Sequence, residues 1–570
     1  MFSLWFLSLS LFFDSVSSAH YIFDLFWINA AVDGVSRSVI GVNGKWPPPT
    51  IEANVGEEIT VVVYNNLGNA TTALHWHGIH QKSERRGLMD GAGGVSQCPI
   101  PPGSNFTYSF VVHHPGSFWY HSHDSSQYPD GLRAPMIIND PLAPYKDEIE
   151  DEFVLTLSDW YQTQTRPLVA QYQSAANTFA SEPVPQSILV NEGQGTNYTV
   201  KAGKTYLFRV MNIGAFPAFF FNIEDHNVTI VAMDGIYTQR TTAQTLHVGT
   251  GQRYDILVTT QPNATKNFDI SALVDMSAFN PGTGTYYNGS KIAQAGLNYL
   301  PHMGPAKARS VKAWASLLPA IDDITISPLD TFFQPRLEPV DQYIELYVNR
   351  TKSVPHGIPR ATINNKTYIP QKVPALYTAL TIGDEFNMRP EVYGEIAPYI
   401  VPDGNIVEIT IINDTPAPHP WHLHGHSMQI INRTFYGTTT PPNIILPDDA
   451  GVVHVPAPTL PQSPMRRDTV YVYPNGGTLT MRFKADNPGV WLLHCHVEWH
   501  VSAGMQATII EAPNVLAGMG LVVPEDHKRV CGNLQPAMPV EGNAAGNWGV
   551  NMTVANVVVL EAGGVAPADS

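Results

Sequence analysis

The segment "HCHVEWHVSAGM", residues 494–505, sets Cys495 between His494 and His496, adds His500 and ends on Met505. On a β-strand successive side chains alternate faces, so the two flanking histidines point one way and the cysteine the other. One short segment could then serve two metal sites back to back. A cysteine, two histidines and a weak axial methionine are the donor set of a blue-copper electron-transfer site. Cys495, His500 and Met505 supply three of those donors, and a second imidazole must come from elsewhere.

The histidines show where. Of the 21 in the chain, ten fall in four clusters: His75 and His77; His121 and His123; His419, His422 and His424; His494, His496 and His500. A single His-x-His pair is more often structural than metallated. Four pairs, one of them built around a cysteine, point to metal. They give eight histidines that can face inward, enough for a three-copper cluster between two domains. His419 is left over and is the missing imidazole beside Cys495, His500 and Met505. The backbone of Cys495 would then bridge the single copper to the cluster, a route for electrons one at a time. His80, His113, His114, His226 and His426 lack a complete pattern and are read as packing or solvated histidines.

These residues need a scaffold, and an internal repeat supplies it. "HPGSFWYHSH" (114–123) resembles "NPGVWLLHCH" (487–496), and "LHWHG" (74–78) resembles "WHLHG" (421–425). Such similarity marks duplicated units. A third copy lies between them. "GKTYLFRVMNIG" (203–214) parallels "GEEITVVVYNNLG" (56–68) and "GNIVEITIIND" (404–414), each a β-branched run after a glycine turn. Where the outer copies carry His-x-His, the middle one reads "FFFNIEDHNV" and "GQRYDILVTT", so it is expected to be a spacer without ligands. Pro-rich breaks at 139–152 and 326–342 place the domains at 20–145, 146–335 and 336–570. Each is of sandwich size, with strand-like runs at the spacing of antiparallel Greek-key sheets.

Composition agrees. The chain has 570 residues with 14% charged and 10% aromatic side chains, 44 Gly and 47 Pro, a turn-rich all-β profile. A net charge of −17 disfavours a nucleic-acid partner. Residues 1–19 read as a secretory signal peptide cleaved after Ala19, although its first residues lack Lys or Arg; a buried strand is the alternative. No later apolar run is long enough to span a bilayer, so a soluble, secreted or cell-wall protein without a membrane anchor is expected. Sequons at Asn69, Asn105, Asn197, Asn263, Asn288, Asn349, Asn365 and Asn551 fit export. With Cys495 assigned to metal, Cys98 and Cys531 remain as one candidate disulfide in an oxidising compartment, two unrelated thiols being the alternative.

The segments "HWHG", "HSH", "HPWHLHGH" and "HCHVEWHVSAGM" match, in order, the four copper-binding segments of the multicopper oxidases, the family of laccases, ascorbate oxidases and ferroxidases. The resemblance implies three consecutive cupredoxin-like domains and four copper ions. One, of type 1, would take electrons from a small-molecule substrate; a type 2 and two type 3 coppers would reduce O2 to water. By motif position His75 and His422 would hold type 2 copper, and His77, His121, His123, His424, His494 and His496 the type 3 pair. Reducing O2 consumes protons, and Glu498 and Asp90 match acidic positions of the family's proton relay. Glu498 is expected on the same strand parity as His496. Either carboxyl could instead orient a ligand.

The electron donor divides the family. "MRRDTVYV", "RFKADNPGVW" and "EGNAAGN" resemble fungal iron-uptake ferroxidases and related pigment oxidases. Ferroxidases of that branch place acids beside type 1 copper, because Fe(II) is a hard cation that wants oxygen ligands. Their glutamate is expected to correspond to Asp159 in "LSDWYQ", as laccases have, and a second acid to Asp275. Thr415 or Asp414 falls at a third acidic position. This partial set, without a membrane anchor, favours a laccase-type oxidation of phenols or naphthols, including pigment precursors. Fe(II) is the alternative donor. A one-electron carrier would need only the type 1 ligands, and a structural sandwich neither site. A monomer is expected.

Overall fold

The computed structural model describes residues 18–82, 85–279, 285–299, 310–329, 335–352, 358–435, 444–445, 452–453, 459–534 and 536–538. The expected leader up to residue 17, the sequon at Asn551 and the segment "EGNAAGN" lie outside them.

The three units of the repeat share one plan. In each, the opening strand lies parallel to the strand formed by the β-branched run. Ser18–Ala30 pairs with Glu58–Asn65, Asp151–Trp160 with Thr205–Asn212, and Gln342–Lys352 with Ile406–Asn413. Strict alternation makes the outer runs half-buried: Ile59, Val61 and Val63 face the first core, and Val407, Ile409 and Ile411 the third. Thr205–Asn212 is covered along almost its whole length: Leu207 packs with Ala143, Tyr145 and Ile149 of the preceding link, and Arg209 pairs with Glu152 and Asp255. The fold is all-β, three cupredoxin-like sandwiches in series.

A second sheet in each outer unit carries the site. Leu74–His77 pairs with Gly116–Ser122, which sets His75 opposite His121. His419–Leu423 pairs with Gly489–Cys495, which sets His422 opposite His494. The middle unit repeats this arrangement with Phe219–Ile223 beside Phe268–Val274, and apolar side chains fill the places of the histidines.

Here one sequence expectation is corrected. "GQRYDILVTT" does not stand in for a histidine pair. Its strand Arg253–Thr259 pairs with Thr205–Asn212, the place held in the outer units by Asn105–Val111 and Gly477–Lys484.

Helices are short, and among the described residues none is long and apolar enough to cross a membrane. Cys98 and Cys531 are joined by a disulfide across 433 residues of sequence, and Cys495 is a buried free cysteine. The first strand begins at Ser18, with His20 opposite Thr60, so cleavage after Ala19 would shorten it by two residues.

Candidate metal centre

His419 and Cys495 come from neighbouring strands, and His500 from the short helix Glu498–Ser502 that follows. The Cys495 Sγ lies 3.4 Å from the Nδ1 of each histidine, and the two Nδ1 atoms are 3.0 Å apart. Met505 is fully buried and returns to the same place: the Cys495 N–H donates to its carbonyl at 3.2 Å, and its own N–H donates to the His500 carbonyl at 3.0 Å. Burial pushes the Cys495 thiol up from its ordinary range, so a thiolate there calls for a cation beside it.

The other eight histidines converge where the first and third units meet. His75 and His424 stack at 3.8 Å between ring centres, as do His77 and His422. His123, His424 and His494 bring their nitrogens within 4.8 Å of one another, as do His75, His77 and His121. His496 Nε2 lies 3.2 Å from His77 Nδ1. The pairs reach the centre in a way that strand alternation only half explains. His121, His422 and His494 are on strands, whereas His123, His424 and His496 fall just beyond the strand ends.

The nitrogens that face the centre are free. Nε2 of His75, His121 and His422 are buried without a hydrogen-bond partner. A buried unsatisfied polar group costs about 1–3 kcal/mol, and three in one place ask for a common electron-pair acceptor. Burial first, and then neighbouring imidazoles, hold His77, His121, His424, His494 and His496 well below the usual histidine range. Neutral imidazoles offer lone pairs, so the residues fit copper.

Carboxylates orient the rings from behind. The Asp90 carbonyl accepts from His75 Nδ1 at 2.8 Å, and its carboxylate accepts from His424 Nδ1 at 2.9 Å. Glu498 does not continue the strand parity of His496 as expected. It opens the helix Glu498–Ser502, its N–H bonded to the Ala215 carbonyl at 2.9 Å. Burial raises its carboxyl to about 7, against the hydrogen bond with Ser126.

Models of the multicopper oxidases match residues 25–143, 151–289 and 368–515. The chain is a multicopper oxidase. It is 41% identical over 541 residues to the iron transport multicopper oxidase fetC of Epichloe festucae, which covers 94% of this chain and 82% of that protein. It is 35% identical over 531 residues to the iron transport multicopper oxidase FET3 of Saccharomyces cerevisiae, covering 91% and 79%. The crystal structure of Fet3p, described as functioning in iron import, superposes with a TM-score of 0.82 at 34% identity, over 93% of this chain and 97% of that one. The laccase of Botrytis aclada superposes at 0.71 and 26%, over 93% and 95%. As a multicopper oxidase the protein carries four coppers, one type 1, one type 2 and two type 3, and uses O2 with a reducing substrate.

The two acids singled out from sequence as substrate contacts are both buried. Asp159 is fully buried, where it accepts from Tyr161 Oη at 3.0 Å and the Ala215 N–H at 2.8 Å and lies 3.4 Å from Arg133. These contacts tie the first two units together. Asp275 is mostly covered and pairs with His247 Nε2 at 2.9 Å, beside Tyr471. The acid that meets His500 is one the sequence did not single out. Glu182 Oε1 accepts from His500 Nε2 at 3.1 Å and lies 2.6 Å from the Arg350 guanidinium, while Thr285 donates to Oε2. Burial would raise this carboxyl, but Arg350 and His500 hold it down to about 2. Glu182 stands in "SEPVPQ", a loop without periodicity, 318 residues before His500, and no local pattern marks it. On the other side His419 Nε2 meets a hydroxyl, Thr415 Oγ1, at 2.7 Å. The five histidines read as bystanders stay outside the cluster; His426, for one, pairs with Glu511 at 2.6 Å.

Proposed function

We propose that this multicopper oxidase takes electrons from Fe(II) at the edge of its type 1 site and passes them to O2. The observation that carries the reading is the Glu182 carboxylate on His500. An anionic oxygen donor beside a type 1 imidazole draws a hard cation to the point where an electron can enter. The iron transport names of relatives at 41% and 40% identity support the same donor. In this reading His419, Cys495, His500 and Met505 hold type 1 copper, His75 and His422 type 2 copper, and His77, His121, His123, His424, His494 and His496 the type 3 pair. The coppers, when bound, supply one-electron redox steps and a place for O2.

The protein's own groups do the rest. Glu182 holds negative charge at the entry. Cys495 and its flanking histidines join the two sites by three consecutive residues. Asp90 fixes the rings of His75 and His424. Glu498 holds a proton close to the ligands that face O2. Each O2 then takes up four electrons and four protons and leaves as two waters, while four Fe(II) become Fe(III). Export is supported by the disulfide and by exposed sequons at Asn69, Asn197, Asn263, Asn288 and Asn365.

Oxidation of phenols or naphthols, including pigment precursors, remains a second reading with its own support. Phe179 and Tyr286 are 78% and 69% exposed and sit next in sequence to Ala180, whose carbonyl accepts from Arg350, and to Thr285. Thr415 also leaves His419 without a carboxylate. Steady-state rates with Fe(II) and a phenol panel decide. For Fe(II), Glu182→Gln is expected to lower kcat/KM by about tenfold or more, each tenfold being about 1.4 kcal/mol, and to leave a neutral phenol nearly unchanged. A wild-type preference for phenols that Glu182→Gln does not alter would sink the Fe(II) reading.

A further inference from the structure

The middle unit gives no histidine to the cluster, yet its turn between Leu246–Val248 and Arg253–Thr259 presses against it. A Cβ placed on Gly251 would lie 3.0 Å from His77 Cε1 and 3.1 Å from His496 Cδ2. Gln252 Nε2 donates to the Thr469 carbonyl at 3.0 Å. Next comes Arg253, which is completely buried. Its Nη1 and Nη2 donate to the two carboxylate oxygens of Asp468, both at 2.7 Å, and its Nε donates to the Ser117 carbonyl at 2.9 Å. One guanidinium from the second unit therefore grips the first and the third.

Asp468 in turn holds two cluster histidines from different units. Its Oδ1 lies 3.2 Å from Nε2 of His77, and its backbone carbonyl accepts from Nδ1 of His422 at 3.0 Å. The consequence for His77 is geometric. His75, His121, His422, His424 and His494 tie back Nδ1, to Asp90, Ser122, Asp468, Asp90 and Cys495 respectively. His77 alone among these ties back Nε2 and turns Nδ1 to the centre. A carboxylate whose two oxygens are both clamped by a bidentate guanidinium can only accept, so it fixes His77 as the Nε2–H tautomer. Glycine at the end of "HWHG" makes room for this, since a Cβ on Gly78 would lie 2.5 Å from Arg253 Nη2 and 2.9 Å from Asp468 Oδ2.

We propose that Arg253 is a positioning residue of the trinuclear site, by which the ligand-free middle unit, through Asp468, sets the ring orientation of His77 and His422 across the domain interface. The proposal rests on His77 and His422 being copper ligands. Without the guanidinium, Asp468 would be a buried anion with no cation against it, free to rotate or take up a proton, and His77 Nε2 would be left with only the weaker acceptor Thr469 Oγ1, also at 3.2 Å.

The test is made on the copper-loaded, full-length protein. Arg253→Met keeps the length of the side chain and removes the clamp. Type 1 copper should keep its blue absorption, because Arg253 touches none of His419, Cys495, His500 and Met505. The trinuclear coppers should be lost to a chelator roughly 10- to 100-fold more readily than in wild type, the usual effect of removing a partner behind a metal ligand. Arg253→Lys, which keeps charge but not the two-pronged geometry, should fall between. Wild-type copper retention in a blue Arg253→Met protein overturns the proposal. Should Arg253→Met yield no blue protein, the near-isosteric Asp468→Asn decides by the same measurement, with the same meaning for either result. His77→Ala separates the two layers. Undiminished trinuclear copper there would remove the ligand assignment, whereas loss there beside an unaffected Arg253→Met overturns the positioning role alone.

Discussion

Glu498 and Glu182 are both buried carboxyls beside the proposed copper ligands, and their surroundings push them opposite ways. Burial lifts Glu498 to about 7, with only Ser126 against it, so near neutral pH it still holds a proton to give. Glu182 is held anionic down to about 2 by Arg350 and His500 despite its burial. One is suited to supply protons, the other to face a cation. Glu498→Gln is therefore expected to slow reoxidation by O2 by ~10²- to 10⁴-fold, the usual weight of a general acid, while reduction by substrate stays near wild type. Because the raised carboxyl donates only while protonated, the wild-type O2 step should fall as pH rises through about 7, and the variant should lack that dependence. Stopped-flow measurement of the two half-reactions reads both, and equal slowing of each would assign Glu498 a structural part instead.

Among the elements, the strands were the most legible. Alternating β-branched runs after glycine turns named Glu58–Asn65, Thr205–Asn212 and Ile406–Asn413 as equivalents, and all three take the same place in their units. The His-x-His pairs were legible for the same reason, since alternation puts both rings on one side. Legibility failed where a contact has no local period. Glu498 turns into a helix, Asp159 is claimed by Arg133 and Tyr161, and Glu182 and Arg253 matter only through partners hundreds of residues away. An ion-pair chain also joins the second unit to the third, and local spacing did not announce it. Arg467 donates to both oxygens of Asp234 at 2.8 and 2.9 Å and to Asp323 at 2.9 Å, and Arg433 donates to Asp323 at 2.7 Å. Arg467→Met strands buried carboxylates, and the expected loss is about 3–5 kcal/mol, read as a fall in Tm. Against its burial, Arg433 and Arg467 hold the Asp323 carboxyl below the usual carboxylate range. Its stabilisation is thus complete above the unfolded value of about 3.9 and is lost as pH falls through the lower folded value. The Tm gap between wild type and variant should be widest near neutral pH and narrow below about pH 4; a gap independent of pH would mean that packing, not charge, is what Arg467 provides.

At the scale of the whole molecule, the last described helix is fastened to the first unit. The helix Glu525–Asn533 carries Cys531 to Cys98, sets His527 against Phe106 with ring centres 4.8 Å apart, and donates from Arg529 to the Asn105 carbonyl at 2.9 Å. Replacing both cysteines with Ala should cost about 2–4 kcal/mol, typical for a disulfide, and expose the C-terminal helix to protease while the blue absorption persists. An unchanged digestion pattern would show that the noncovalent contacts suffice. The same closure of first unit on last governs when the centre can come into being. His77 and His496 stand 419 residues apart and meet only when the third unit docks on the first. Domains fold in order as a chain is made, N-terminal first. A nascent or truncated chain that lacks the third unit therefore lacks His422, His424, His494 and His496, half of the eight converging histidines, so the place where O2 would be met is finished only after the last unit is made.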